Sequence, residues 1–322
     1  MIRVEQPGAL TTVQDGGRRG WRHLGVAMAG ALDADAAALA NLLVGNAVDA
    51  AVLEFSLTGP SLTISAATTV ALTGGEVDAV HVDADGAQRS VPCGRPVAVP
   101  AGELRIGAIR RGVRGWLAVA GGIDVAPVLG SRSTDLRGGF GGVHGRALQR
   151  GDTLAMGTAT RTPDATTPAW WFEFDRLPQH RLALHFVPCT ADHAPVEAFA
   201  GQAWRVDVRS NRQGLRLNGN AMVAPNGDIV SLPVTPGTIQ LPPDGQPIVL
   251  LADAQTTGGY PRLGYVASAD LPRLAQAAPG MHISWTAIDA DASRALWAAR
   301  RAQWQRMQCL LEERRSTLQP PR

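Results

Sequence analysis

Along the first half of the chain the apolar positions fall in short runs, each closed by glycine or proline, and this is the rhythm of hairpins. A brief strand is predicted at 2–4, followed by a polar, glycine-bearing loop, QDGGRRGWRHLG, over 14–25. The pattern then changes once: DADAAALANLLVGN reads as a helix, with Asp33 as its N-cap and Gly45-Asn46 ending it. Between 52 and 156 short runs return at 61–64, 69–73, 97–99 and 115–120, predicting antiparallel β structure. The second half repeats the style at 182–187, 204–208, 237–241 and 247–251. After Ile288 a helical period appears, with Ser293, Trp297, Arg300, Trp304, Met307 and Leu311 along one stripe. That stripe predicts a helix packed on the chain's own sheet.

A chain of 322 residues is long for one core and predicts two. The unpatterned stretch TATRTPDATTPAW at 158–170 reads as a linker. The expected units are therefore a β subdomain with an inserted helix at 1–165, a second β subdomain at 166–288, and a C-terminal helix and tail at 289–322. The expected class is mainly β with peripheral helices. Two alignments point to a duplicated module. TGPSLTI at 58–64 matches TPGTIQL at 235–241, while Arg18-Arg19-Gly20 matches Arg212-Gln213-Gly214 at a spacing 17 residues longer. The difference is about the length of the Asp33 helix, so the first copy carries an insertion and the second a bare turn.

Composition narrows the function classes. Net charge is only +2 with the arginines dispersed, so no basic face is offered to nucleic acid or an anionic membrane. No apolar run approaches the ~20 residues of a bilayer span, and MIRVEQPGAL lacks a signal-peptide pattern, so a cytoplasmic location is expected. Cys93, Cys189 and Cys309 are few and far apart, which suits reduced thiols filling the interior. All 30 basic residues are arginine. The chain therefore carries no biotinyl-lysine, no Schiff base to pyridoxal phosphate and no P-loop lysine.

Four loops concentrate chemistry. Gln14, Asp15 and Arg18 place a carboxamide, a carboxylate and a guanidinium on one flexible turn, suited to a planar anion or, equally, to pairing with each other. In SRSTDLRGGFGG at 131–142, Gly138, Gly139 and Gly141 permit backbone N–H groups to converge on an anion, with Arg132 and Arg137 supplying charge. A nucleotide phosphate or a substrate carboxylate would fit, and so would a plain glycine-rich surface loop. SNRQG at 210–214 and DAQTTGGYP at 253–261 add Asn211, Arg212, Asp253, Gln255, Thr256, Thr257 and Tyr260. His185, Cys189 and His193 recur every four residues, but Pro188 defeats a helical zinc face, and no metal site is expected.

These motifs, with LEFSLTGPSL, GWLAVAGGI, SNRQGLRLNG and TPGTIQLPPDGQPIVLLADAQTTGGYPRLG, resemble the biotin-dependent carboxyltransferase family in order from about residue 4 to about 287. That family includes the 5-oxoprolinase subunit lettered C, the KipA protein and the urea amidolyase subdomains expected to be those lettered C and D. The resemblance implies two cyclophilin-like barrels and an obligate partner, lettered B, that resembles KipI. It further implies use of ATP by a complex of subunits A, B and C that opens 5-oxoproline to glutamate. The alternatives it leaves are carboxyl transfer to a urea-like amide, with biotin carried by another protein, and a regulatory protein that binds a KipI-like kinase inhibitor. In the enzymatic readings Arg18, Arg137, Arg212 and Gln255 would stabilise developing negative charge, and Asp15 or Asp253 would orient water or an attacking nitrogen. Ala254, Asn211, Leu232 and Asp135 depart from the family pattern, where Arg, Asp, Glu and Tyr are usual, and this puts the substrate in question.

Overall fold

The computed structural model describes residues 1–159, 168–172, 177–178, 180–189, 193–224 and 230–317. The first half contains β1 (Ile2–Gln6), β2 (Leu10–Gln14), α1 (Ala34–Val44), β3 (Val52–Ser56), β4 (Ser61–Ile64), β5 (Thr68–Asp83), β6 (Gln88–Ser90), β7 (Pro96–Val99), β8 (Gly102–Val119), β9 (Ile123–Asp124) and β10 (Thr153–Met156). The second half contains β11 (Arg181–Pro188), α2 (His193–Ala200), β12 (Trp204–Val206), β13 (Gly214–Asn218), β14 (Leu232–Pro233), β15 (Thr238–Gln240), β16 (Ile248–Leu250), β17 (Thr257–Gly258), β18 (Arg262–Val266), β19 (His282–Ala287) and α3 (Ala290–Thr317). The fold is mainly β, as the punctuated apolar runs predict.

The first ten strands form one antiparallel sheet in the order β2-β3-β8-β4-β1-β10-β9, with β5 pairing β6, β7 and β8. Ile2, Leu53, Phe55, Leu72, Leu104 and Leu117 fill its interior. The second half is a closed barrel, β11-β18-β15-β16-β13-β12-β19, sealed by a parallel pair in which Arg181 lies beside His282. Phe186, Phe199, Trp204 and Trp285 form its aromatic centre, the Phe186 and Phe199 rings meeting edge to face at 5.1 Å.

The strand order β2-β3-β8-β4 recurs as β12-β13-β16-β15, antiparallel throughout. Both sets read first, second, fourth, third in chain order, so the shared segment found in the sequence corresponds to a shared topology. Between the first two strands of the set lies α1 in one half and a turn in the other. Asp33 caps α1 by accepting from the Ala36 amide at 2.9 Å, and Gly45 ends it in the left-handed conformation.

The sequence reading falls short where strands are long. Residues 69–73 and 115–120 are the ends of β5 and β8, strands of 16 and 18 residues interrupted by glycines that look like turns. Gly74 is one: it has φ +85, and a Cβ there would lie 2.5 Å from the Trp116 ring, so the strand bends around that indole. The thiols also depart from expectation, since Cys189 and Cys309 are exposed and only Cys93 is half-buried. Along α3, Met307 and Leu311 are buried beside α1 residues and Arg300 pairs with Asp35 at 2.6 Å, but Trp297 is 41% exposed. The helix docks through its later turns, in part on another helix. Most of the predicted linker, 160–167, and with it the boundary at 165, lies outside the described residues.

Candidate functional site

The two barrels meet at a charged clasp. Arg212 opens the turn before β13 and is buried; its Nε and Nη2 donate to the two oxygens of Asp253 at 2.9 Å each. Its Nη2 also donates to the Gly30 carbonyl at 2.7 Å, and its Nη1 to Glu54 of β3 in the other barrel. The second Glu54 oxygen accepts from the Trp116 indole at 3.0 Å and the Leu32 amide at 2.9 Å. Burial works against the Arg212 charge, yet Glu54 and Asp253 together raise its pKa above the ordinary value.

Beside the clasp, Gln276 behaves as a piece of foreign strand. Its Oε1 accepts from the Val113 and Arg114 amides at 2.8 and 3.2 Å, and its Nε2 donates to the Arg114 carbonyl at 2.9 Å. Gly112, with φ +84, makes room, since a Cβ there would stand 2.5 Å from that Oε1. Arg114 is thereby fixed at the seam, its Nη1 donating to the Ala275 carbonyl at 2.6 Å. Burial lowers its pKa to about 10, with Glu54 opposing the shift.

A cleft of about 520 Å³ opens over this junction, within the ordinary range for small-molecule sites. Arg114, Arg137, Asn211, Arg212 and Asp253 line it, with Ser56 and Ser210. Its rim is apolar: Leu57 is 55% and Val208 80% exposed, with Leu136 beside them. Leu57 also holds φ +62, a conformation that costs a branched residue of order 1–3 kcal/mol and is pinned by its amide bond to Val113 O at 2.9 Å.

The cleft thus unites Arg137, Asn211, Arg212 and Asp253 of the predicted residues. Asp15 lies elsewhere, and its carboxylate is engaged by the Gly17 and Arg132 amides and the Ser131 and Ser133 hydroxyls. Gln14 is buried, donating to the Thr134 carbonyl and accepting from the Gly30 amide. Arg18 is fully buried under Phe140, donating to the Val128 and Ser133 carbonyls at 3.0 and 2.5 Å. Burial lowers its pKa, opposed by Asp135, Asp15 and Asp253. Arg132 instead reaches Asp124 at 3.5 Å.

The glycine-rich loop does gather amides on an anion, but the anion is its own. Asp135 is buried and accepts from the Arg137 and Gly138 amides at 3.1 and 2.8 Å, while Gly139 donates to the Asp135 carbonyl. The loop containing Gly141 then folds back through Gly145 N to Gly141 O at 2.8 Å. Gln255, Thr256, Thr257 and Tyr260 sit outside the cleft lining, on the segment carrying the two-stranded β14–β17 ribbon, where Thr257 pairs with Pro233 and Gly258 with Leu232. Arg22 holds that segment to the first barrel, donating to the Val234 and Gln255 carbonyls. Ala254 is fully buried against Val234 and Leu250.

Glu54, Arg114 and Gln276 escaped the sequence reading. The first two had a signal, a lone charge inside the apolar runs VLEF and GVRGW; Gln276 had none. Among the described residues no three His, Cys, Asp or Glu side chains converge on a metal position, and His185 is paired with Asp270 at 2.8 Å. No described helix is long and apolar enough to cross a membrane.

Residues 24–287 match the family described as carboxyltransferase domain, subdomain A and B, which corrects the expected lettering C and D. The chain is 39% identical to the 5-oxoprolinase subunit lettered C of Escherichia coli, over 88% of this chain and 90% of that one. Among solved structures it is similar to TTHA0988, with TM-score 0.79 and 38% identity over 89% of this chain and 55% of that one. It is also similar to the Kluyveromyces lactis urea amidolyase, with TM-score 0.82 and 28% identity over 94% of this chain. The chain spans just over half of the former and 20% of the latter. With the match extending across both barrels and the cleft between them, the chain belongs to the carboxyltransferase-domain family.

Proposed function

We propose that this chain is the third component, lettered C, of an ATP-dependent 5-oxoprolinase, which opens the lactam of 5-oxoproline to glutamate together with subunits A and B and is inactive alone. The observation that carries this reading is the likeness to the Escherichia coli protein over nine-tenths of that protein's length. The cleft agrees with it. Arg137 and Asn211 offer donors to a bound lactam, while Arg212 and Asp253 are a fixed wall whose charges are already matched. The exposed apolar rim of Leu57, Leu136 and Val208 is the surface on which the KipI-like partner closes the site. ATP is used by the complex, and its binding site is assigned to no residue of this chain.

The test is reconstitution of the three subunits with ATP and 5-oxoproline, measuring glutamate. Release that requires all three is the expected result. Release without this chain, or none with the full set, overturns the proposal, and tight partner binding without turnover returns the regulatory reading. Carboxyl transfer to a urea-like amide, with biotin on another protein, is the second reading, favoured by the likeness to urea amidolyase. It predicts activity that avidin abolishes.

A further inference from the structure

Three arginines stand over the cleft between the barrels, and the hydrogen bonds that arginines make to the two carboxylates beside them come from one, Arg212. Arg212 takes both Asp253 oxygens and one of Glu54, and the other Glu54 oxygen is taken by Trp116 and Leu32. Arg114 is 8% exposed, and its Nε is buried with no acceptor among the described residues. The Arg137 guanidinium, exposed on the cleft wall, has neither a hydrogen bond nor an ion pair among the described residues. Arg114 and Arg137 are therefore the cleft arginines to which no carboxylate is bonded among the described residues.

A nine-tenths buried guanidinium whose Nε has no acceptor and to which no carboxylate is bonded is unfavourable unless something anionic arrives, and the arginine fork fits a carboxylate in plane. We propose that Arg114 and Arg137 anchor the carboxylate of a small monocarboxylic substrate, and that Arg114 is the residue that makes this cleft reject a neutral amide. The burial that lowers Arg114 toward 10 is relieved by such an occupant. The cleft being the substrate site is taken from the function proposed above, but the charge argument does not require that reaction to be lactam opening.

Binding of 5-oxoproline, of its uncharged carboxamide and of inorganic phosphate is measured by calorimetry and saturation-transfer NMR, on the chain and on the reconstituted complex. The acid should bind roughly 10- to 100-fold more tightly than the carboxamide, the span of one charged hydrogen bond. Arg114→Gln and Arg137→Gln should each collapse that ratio by about tenfold, and Arg114→Lys should restore part of it. If Arg114→Gln does not fold, Arg137→Gln on the surface still decides. Equal affinity for acid and carboxamide, tighter binding of phosphate, or no binding of any probe in either preparation overturns the inference. Selective binding of the acid without glutamate release sinks the proposed reaction and leaves the anchor standing; turnover with an unchanged acid-to-amide ratio in both variants does the reverse.

Discussion

Arg18 and Arg212 occupy matching places in the two halves, each between the first and second strands of the repeated set, yet they are bonded in opposite ways. Arg18 spends its donors on neutral carbonyls of its own barrel, Val128 and Ser133. Arg212 spends its donors on Asp253 and on Glu54 from the other barrel. One position of an ancestral-looking repeat has therefore become a latch within a barrel, and its counterpart a clasp between barrels. The difference teaches that a buried arginine's role is set by whether its acceptors are carbonyls or carboxylates, which local motif spelling does not reveal.

Breaking the clasp should have the largest effect. Arg212→Met leaves Glu54 and Asp253 buried without their cation and should cost about 3–5 kcal/mol in urea unfolding. Adding Glu54→Gln and Asp253→Asn should recover part of this. Gln276→Ala removes the side chain that stands in for a strand at the seam, and should cost about 2–3 kcal/mol by orphaning the Val113 and Arg114 amides. Arg18→Met should cost less, about 1–2 kcal/mol, since it releases neutral carbonyls rather than buried carboxylates. Hydrogen exchange should show its effect confined to the first half, whereas Arg212→Met loosens both.

Acid should sharpen the contrast with the smallest signal. His81 of β5 is fully buried, and desolvation, then Arg89, pushes its imidazole below the usual range. Between that lowered value and the unfolded ~6.5 the unfolded chain binds more protons, so first-barrel stability is lost as pH falls below ~6.5. In the second barrel, Arg209 holds Asp207 below the usual carboxylate range, so that contribution persists until pH falls beneath the unfolded ~3.9. Hydrogen exchange at pH 5 should therefore accelerate in β5 and its neighbours before β12 and β13, and His81→Leu should flatten the first slope.

What was legible in the sequence follows from range. The helix α1 could be read to its caps because Asp33 and Gly45 act on amides and carbonyls within the same turn. The duplication was legible because both copies keep the same Thr-Gly-Pro or Thr-Pro-Gly turn and the same arginine, while the strand order they share was not. The long strands β5 and β8 were hidden, because glycine permits a bend as readily as a turn. At the candidate site, Arg137, Asn211, Arg212 and Asp253 share one cleft while Arg18 and Gln255, expected to converge with them, do not line it, and Glu54, 158 residues from its partner in sequence, was not read. Asp135 shows the opposite failure: the glycine loop's geometry was anticipated and its occupant was not, since a carboxylate inside the loop competes with any from outside.

The parallel pairing of β11 with β19 fixes when the second barrel can exist. Arg181 waits for His282, about a hundred residues later, before its ladder is complete. Until then a nascent chain on the ribosome presents LALHFV with one bare edge, the kind of apolar strand that recruits copies of itself. Folding yield should thus hinge on chaperone cover during that interval, and a stop codon placed before residue 282 should send the product into inclusion bodies.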